Sequence, residues 1–236
     1  MQLIMEVFNM NDMKAVIFDL DGVLVDSQPF HFDVDIETLK SFGVPLTLET
    51  AKKYAGMALV DRVKKYVDSF AIKAAPNDII ALHIENMMNQ LEAADLHPID
   101  GVLQLLSLLE ERGISRSVAS SSSYEFINKM LEKLKIAHFF EFVVSGEDMK
   151  NGKPAPDIFL FAVDKHGFRV DECVVVEDSE NGVLAAKAAG IFCVGYDNPT
   201  SGEQDISNAN VVIDDFNKLI NNQAWLTMRV FADGQN

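Results

Sequence analysis

Cysteine is nearly absent, with two in 236 residues, Cys173 and Cys193. Each lies in an apolar stretch, so they read as two buried thiols rather than a disulfide, and two cysteines cannot make a four-cysteine metal site. Positive charge is also scarce: 20 lysines and arginines face 36 aspartates and glutamates, a formal net charge of −16. Such a surface repels nucleic acid and anionic membrane, and neither is expected as a partner. It repels phosphate at long range as well, so a phosphate site here must carry its own local positive charge from a metal, a lysine or helix N-termini. No apolar run reaches membrane-spanning length. Met1 to Asp12 contains no lysine or arginine but includes Glu6 and Asp12, so a basic secretory leader is not expected. The expectation is a soluble cytoplasmic protein, monomeric by default, with Met13 a second candidate start.

Hydrophobic residues, in contrast, make up 48% of the chain, enough for one core domain and a smaller accessory one. Lys14 to Asp19 (KAVIFD) has the pattern of a buried parallel strand. From Phe30 to about Leu96 the period turns helical: Phe32, Ile36 and Leu39; then Val60, Val63, Val67 and Phe70; then Ile80, Ile84, Met87 and Leu91. Gly43-Val44-Pro45 and Ala75-Pro76-Asn77 break these helices. From Pro98 onward strands and helices alternate. Asp100 is a candidate cap for a helix built on Val102, Leu105, Leu106 and Leu109. Strands are expected over Ser115–Ala119, Cys173–Val176, Ile191–Gly195 and Val211–Ile213. The fold class is therefore α/β: a Rossmann-like parallel sheet with an inserted all-helical cap. The expected divisions are a core at 13–28 plus 98–221, a cap at 29–97, and peripheral extensions at 1–12 and 222–236.

In such a sheet ligands bind beyond the carboxyl ends of the strands, so the residues just past each strand carry the interest. They are Asp19, Asp21 and Asp26 in FDLDGVLVDS, Ser120 to Ser123, Lys153 in GKPAPD, and Glu177 with Asp178. Carboxylates from separate strands plus a backbone carbonyl suit a hard oxygen-loving cation, magnesium above all. With its charge so offset, a carboxylate can attack phosphorus and form an aspartyl-phosphate. A second carboxyl two residues on can give a proton to the leaving oxygen and later take one from water. A hydroxyl, backbone N–H groups and a lysine can hold the equatorial oxygens.

FDLDGVLVDS, VASSS, GKPAPDIF and VVVEDSENG resemble the four ordered motifs of the haloacid dehalogenase superfamily. The subgroup it is most similar to has a helical cap after the first motif and includes β-phosphoglucomutase and many sugar-phosphate phosphatases. The resemblance spans about Lys14 to Ile220. It implies Asp19 as nucleophile and metal ligand, and Asp21 as acid/base with its carbonyl on the metal. It further implies Ser120, with Ser121 beside it, and Lys153 on the transferring phosphoryl group, and Asp178 with Glu177 on Mg2+. His31 falls where related enzymes carry a histidine at the cap hinge, there to position Asp21 or contact substrate. Asp21 is present where hydrolytic dehalogenases of the superfamily lack an aspartate, which argues against carbon–halogen cleavage.

Other residues have plainer readings. Ser122 and Ser123 are expected to cap a helix, Asp33, Asp35 and Glu37 to form a solvated helix face, and Met87-Met88 to fill the cap core. His83, His97, His138 and His166 show no metal-ligand spacing. In YAGMALVD (Tyr54–Asp61) Leu59 occupies the place where β-phosphoglucomutases carry a phosphate-gripping arginine; the nearest arginine is Arg62, and no cap lysine stands near His83. Hydrolysis of a small phosphate monoester, such as a sugar phosphate, is therefore preferred. A β-phosphoglucomutase-type mutase is the alternative, and a non-catalytic binding protein on the same scaffold the third possibility. The expected partner is a small phosphorylated metabolite.

Overall fold

The computed structural model describes residues 13–55, 57 and 59–222; Ala58, Trp225 and the extension 1–12 fall outside the described residues, as does all but Asn222 of the expected 222–236 tail. Six strands form one parallel sheet: β1 (Ala15–Phe18), β2 (Ser115–Ser120), β3 (Phe142–Ser145), β4 (Cys173–Glu177), β5 (Phe192–Tyr196) and β6 (Val211–Ile213), in the order β3-β2-β1-β4-β5-β6. Phe18 stands in register with Val118 on one side and Val176 on the other. The order reverses between β1 and β4, the switch point where a crevice opens in this architecture.

The central strands are apolar on both faces because both are covered. Val16 and Phe18 of β1 and Val174 and Val176 of β4 pack with α5 (Val102–Glu111), α6 (Tyr124–Lys133) and α9 (Asn217–Asn221). Ala15, Ile17, Cys173 and Val175 face the other way, onto α7 (Asp157–His166) and α8 (Glu180–Ala188). The period of two along each strand thus divides one sheet between two cores. Cys173 and Cys193 are buried free thiols on neighbouring strands. Strand β3 is absent from the sequence expectation. It is a four-residue edge strand only half covered, and its run FEFVVS lacks a clean alternation.

Between β1 and β2 lie α1 (Gln28–Ser41), α2 (Leu48–Lys52), α3 (Leu59–Phe70) and α4 (Pro76–Ala93), an all-helical insert with its own small core around Phe32, Leu39, Val63, Tyr66 and Ile79. Its helical faces differ in detail from the periodicity. Val60 is 49% exposed and Ile84 44%; the buried stripe of α4 is Ile79, His83, Met87 and Leu91, a strict i, i+4 repeat that includes a histidine. Met87 and Leu91 pack into the main core rather than the insert's. Asp35, expected on a solvated face, is 3% exposed, because Arg62 and Tyr66 on α3 and His83 on α4 meet it. Asp100 does not cap α5; Gly101, at φ +88°, takes that place, and a side chain there would press on Phe216. No helix among the described residues is long and apolar enough to cross a membrane.

Candidate active site

Each chemistry-bearing residue sits where a buried strand runs out. Asp19 follows β1, Ser120 ends β2, and Glu177 and Asp178 close β4. Lys153 arrives from the loop before α7 and ties them together. Its Nζ donates to Asp19 Oδ1 at 2.5 Å, to Glu177 Oε1 at 2.7 Å and to the Ala119 carbonyl at 3.2 Å, and lies 4.8 Å from the centre of the Phe159 ring. Burial alone would lower its proton affinity, but the two carboxylates outweigh that and hold it above the ordinary lysine range.

The acids compete for that one ammonium. Burial pushes Asp19 up to about 7 against the pull of Lys153, and the charges of Glu177 and Asp21 add to the rise. Asp178 is driven well above the usual carboxylate range by burial, then by Glu177 and Asp19, in spite of a hydrogen bond from the Ser201 hydroxyl. Gly22, at φ +83°, is what lets Asp178 come so near the first loop, since a Cβ there would collide with its carboxylate.

Asp21 lives in a different environment. Its Oδ1 accepts from Ser27 Oγ at 2.5 Å and from His31 Nε2 at 2.9 Å, and its Oδ2 accepts from Ser122 Oγ at 3.1 Å. Burial would raise its pKa, but His31 and the hydrogen bonds of His31, Ser27 and Ser122 lower it below the usual value. Two carboxyls two residues apart are therefore pushed in opposite directions, the separation expected of distinct chemical duties.

Three carboxylates against one ammonium leave an excess of negative charge in a dry pocket, and a cation fits there. Among the described residues no three His, Cys, Asp or Glu side chains form a ready-made cage. Magnesium does not require one, since it keeps several waters and is held through one or two carboxylates plus substrate phosphate. Glu177 is a poor candidate for direct ligation: Oε1 takes Lys153, and Oε2 accepts from the Asp178 and Ser179 N–H groups, both at 2.9 Å, and from Ser179 Oγ at 3.0 Å. Its carboxylate holds Lys153 and the start of α8. Gly182 makes room for it, as a Cβ there would strike the carboxyl.

Ser120 is 1% exposed and accepts from the Ser122 N–H at 3.1 Å, whereas Ser121 is exposed. Ser123 caps α6 through the Phe126 N–H. Ser122, expected only to cap, reaches Asp21 instead. The loop after β5 also went unread in the sequence: Asn198 Nδ2 donates to the Gly22 carbonyl at 3.0 Å, Thr200 Oγ1 to Asp26 Oδ1 at 2.5 Å, and Ser201 to Asp178. Looking past the end of β5, as past the other strands, would have found DNPTSG.

Residues 16–196 match the family profile described as haloacid dehalogenase-like hydrolase. A phosphorylated carbohydrates phosphatase of Thermotoga maritima is 32% identical over 180 residues, covering 76% of this chain and 82% of its own. A beta-phosphoglucomutase of Bacillus subtilis is 31% identical over 191 residues, covering 78% and 83%. Among solved structures, a family IA, variant 3 hydrolase of the group from Entamoeba histolytica superposes with a TM-score of 0.79 at 25% identity, covering 92% of this chain and all of that one.

Proposed function

The chain belongs to the haloacid dehalogenase-like hydrolase family, and from that premise we propose that it is a magnesium-dependent phosphatase acting on a small phosphate monoester, a sugar phosphate, through an aspartyl-phosphate at Asp19. The observation that carries this is the Lys153 ammonium bridging Asp19 and Glu177 beside Asp178 at the switch point of the sheet. Asp19 and Asp178, with the Asp21 backbone carbonyl, would hold the ion. When bound, magnesium neutralises oxyanion charge and polarises a phosphoryl oxygen.

The chain's own groups do the rest. Asp19 attacks phosphorus as the bond to the ester oxygen breaks, and the leaving oxygen takes a proton from Asp21. Asp21 then removes a proton from water, whose oxygen attacks the same phosphorus and frees Asp19 and inorganic phosphate. In the free site Asp21 is ionised; a phosphoryl group brought beside it raises its proton affinity by like-charge repulsion. Lys153 and Ser120 bind the equatorial oxygens, and His31 and Ser122 orient Asp21. The helical insert, residues 29–97, closes as a lid over the core formed by 13–28 and 98–221 and controls water.

The test is magnesium-dependent release of phosphate from p-nitrophenyl phosphate. Asp19→Asn is expected to lower it by at least about 10³-fold, and an equally active variant would refute the assignment. Kinship with a beta-phosphoglucomutase favours a mutase as second reading. Incubation with β-glucose 1-phosphate under phosphorus NMR separates the two: free phosphate is expected to outpace glucose 6-phosphate, and the reverse order would establish the mutase.

A further inference from the structure

The loop after β5, residues 197–202, joins parts of the site that lie far apart in the chain. It turns on the buried side chain of Asn198, whose Oδ1 accepts from the Thr200 N–H and whose Nδ2 donates to the Gly22 carbonyl, both at 3.0 Å. The Thr200 hydroxyl donates to Asp26. The loop is thus anchored twice on residues 19–26, the segment that offers Asp19 and the Asp21 carbonyl to the proposed ion. It is anchored on α8 as well: Gln204 Nε2 donates to the Ser201 carbonyl and Gln204 Oε1 accepts from the Glu180 N–H, both at 3.1 Å.

Within this brace the Ser201 hydroxyl serves neither the turn nor the helix. Ser201 is buried and donates to Asp178 Oδ2. Among the described residues this is the one hydrogen bond that the Asp178 carboxylate accepts, so Oδ2 is held and Oδ1 is left open. Glu177 differs, since both of its oxygens are occupied. Gly22 packs against the held oxygen: a Cβ there would strike Oδ2 while standing 3.0 Å from Oδ1. Partners that hold a ligating carboxylate orient it and tune its affinity for the ion. Magnesium demands near-ideal octahedral geometry with oxygens at about 2.0–2.1 Å, whereas calcium takes roughly six to eight oxygens at about 2.3–2.6 Å and often draws both from one carboxylate. A carboxylate tied by one oxygen to a braced loop meets the first demand and not the second.

We propose that Ser201 is a positioning residue that sets the ion selectivity of the site: by holding Asp178 Oδ2 it leaves Oδ1 alone to ligate, and so favours magnesium over calcium. This rests on the metal site of the phosphatase assignment and goes beyond it. Without the hydroxyl, Oδ2 is free to turn toward the ion, which suits calcium and loosens the geometry that magnesium needs.

Isothermal titration calorimetry with MgCl2 and with CaCl2, in the absence of substrate, reads the selectivity as a ratio of dissociation constants. The wild-type protein is expected to bind Mg2+ more tightly than Ca2+. Ser201→Ala is expected to weaken Mg2+ about tenfold while changing Ca2+ by less than about threefold, moving the ratio toward calcium. Ser201→Thr, which keeps the hydroxyl, is expected to retain the wild-type ratio. Equal losses for both ions in Ser201→Ala would mark a merely structural role and overturn the proposal, as would a wild-type preference for Ca2+. Should Ser201→Ala fail to fold by circular dichroism, Ser201→Cys, with a thiol that donates only weakly, carries the same test together with the wild-type preference. An unchanged ratio in a protein that releases phosphate from p-nitrophenyl phosphate sinks this inference alone. A shifted ratio in a protein that releases none sinks the phosphatase assignment alone, and a wild-type protein that binds no Mg2+ sinks both.

Discussion

Asp178 is a single residue whose place in the fold costs stability. Its carboxyl is buried beside Glu177 and Asp19, which together hold its pKa well above the usual value. A carboxylate with a raised folded pKa opposes folding at neutral pH, because the unfolded chain ionises it freely. Asp178→Asn is therefore expected to stabilise the magnesium-free protein by about 1–2 kcal/mol, raising Tm by about 2–4 °C per kcal/mol in a chain of this size. Magnesium at about 100 times its Kd should stabilise the wild-type protein by about 2.7 kcal/mol and the variant hardly at all. Thermal melts with and without the ion read both effects, and equal responses would remove Asp178 from the proposed ligands. The acids at this scale were legible because each follows a strand. What the chain could not disclose was their division of labour. Glu177 is sequestered by Lys153 and Ser179, and Ser122 is recruited by Asp21; both facts depend on partners 24 and 101 residues away.

At the scale of elements, the cap helices were recognised by period, but their faces were misjudged wherever a polar residue is buried. The stripe of α4 runs through His83 because Asp35 waits across the α1–α4 contact, and hydropathy scoring passes over a histidine in favour of Ile80 and Ile84. That burial has a consequence in acid. Burial lowers the His83 pKa below the usual 6.5, outweighing Asp35. As pH falls through 6.5 the unfolded chain therefore takes a proton that the folded one refuses, and stability declines over that window. Asp35, though burial would raise it, is held below 3.8 by Arg62, His83 and Tyr66. Its contribution is intact above the unfolded value and is lost only as pH drops through the folded one. Protonation of Asp19 and Asp178, whose folded values are raised, acts in the opposite sense over the same range, so the loss is read as the difference in melting temperature between the wild-type protein and His83→Asn from about pH 7.5 to 4.5, which is expected to shift against the wild type below 6.5. His83→Asn keeps a donor toward Asp35 but does not titrate; a difference that stays constant across that range would exclude His83 as the source.

For the whole molecule, the alternation of strand and helix after Pro98 and the long helical stretch before it carried most of the architecture. β3 escaped because an edge strand is held by one neighbour and one packed face, so its pattern is weak. The loop after β5 escaped because its partners, Gly22, Asp26 and Asp178, are distant in the chain. Net charge acts at this scale too. A formal −16 makes the folded state repel itself, and added salt screens that repulsion. Tm is expected to rise between about 20 and 300 mM NaCl, as the screening length shrinks from between about 10 and 30 Å to below about 10 Å, and a fall would indicate that local ion pairs such as Lys153–Asp19 dominate instead.

The adjacency of β1 and β4 also bears on synthesis. Asp19 and Lys153 are 134 residues apart, and Glu177 comes 24 residues later still. Synthesis must therefore proceed beyond Asp178 before Asp19, Lys153 and the acidic pair can meet. On the proposed mechanism, shorter products would carry Asp19 without Lys153, the acidic pair or both, and are expected to release no phosphate.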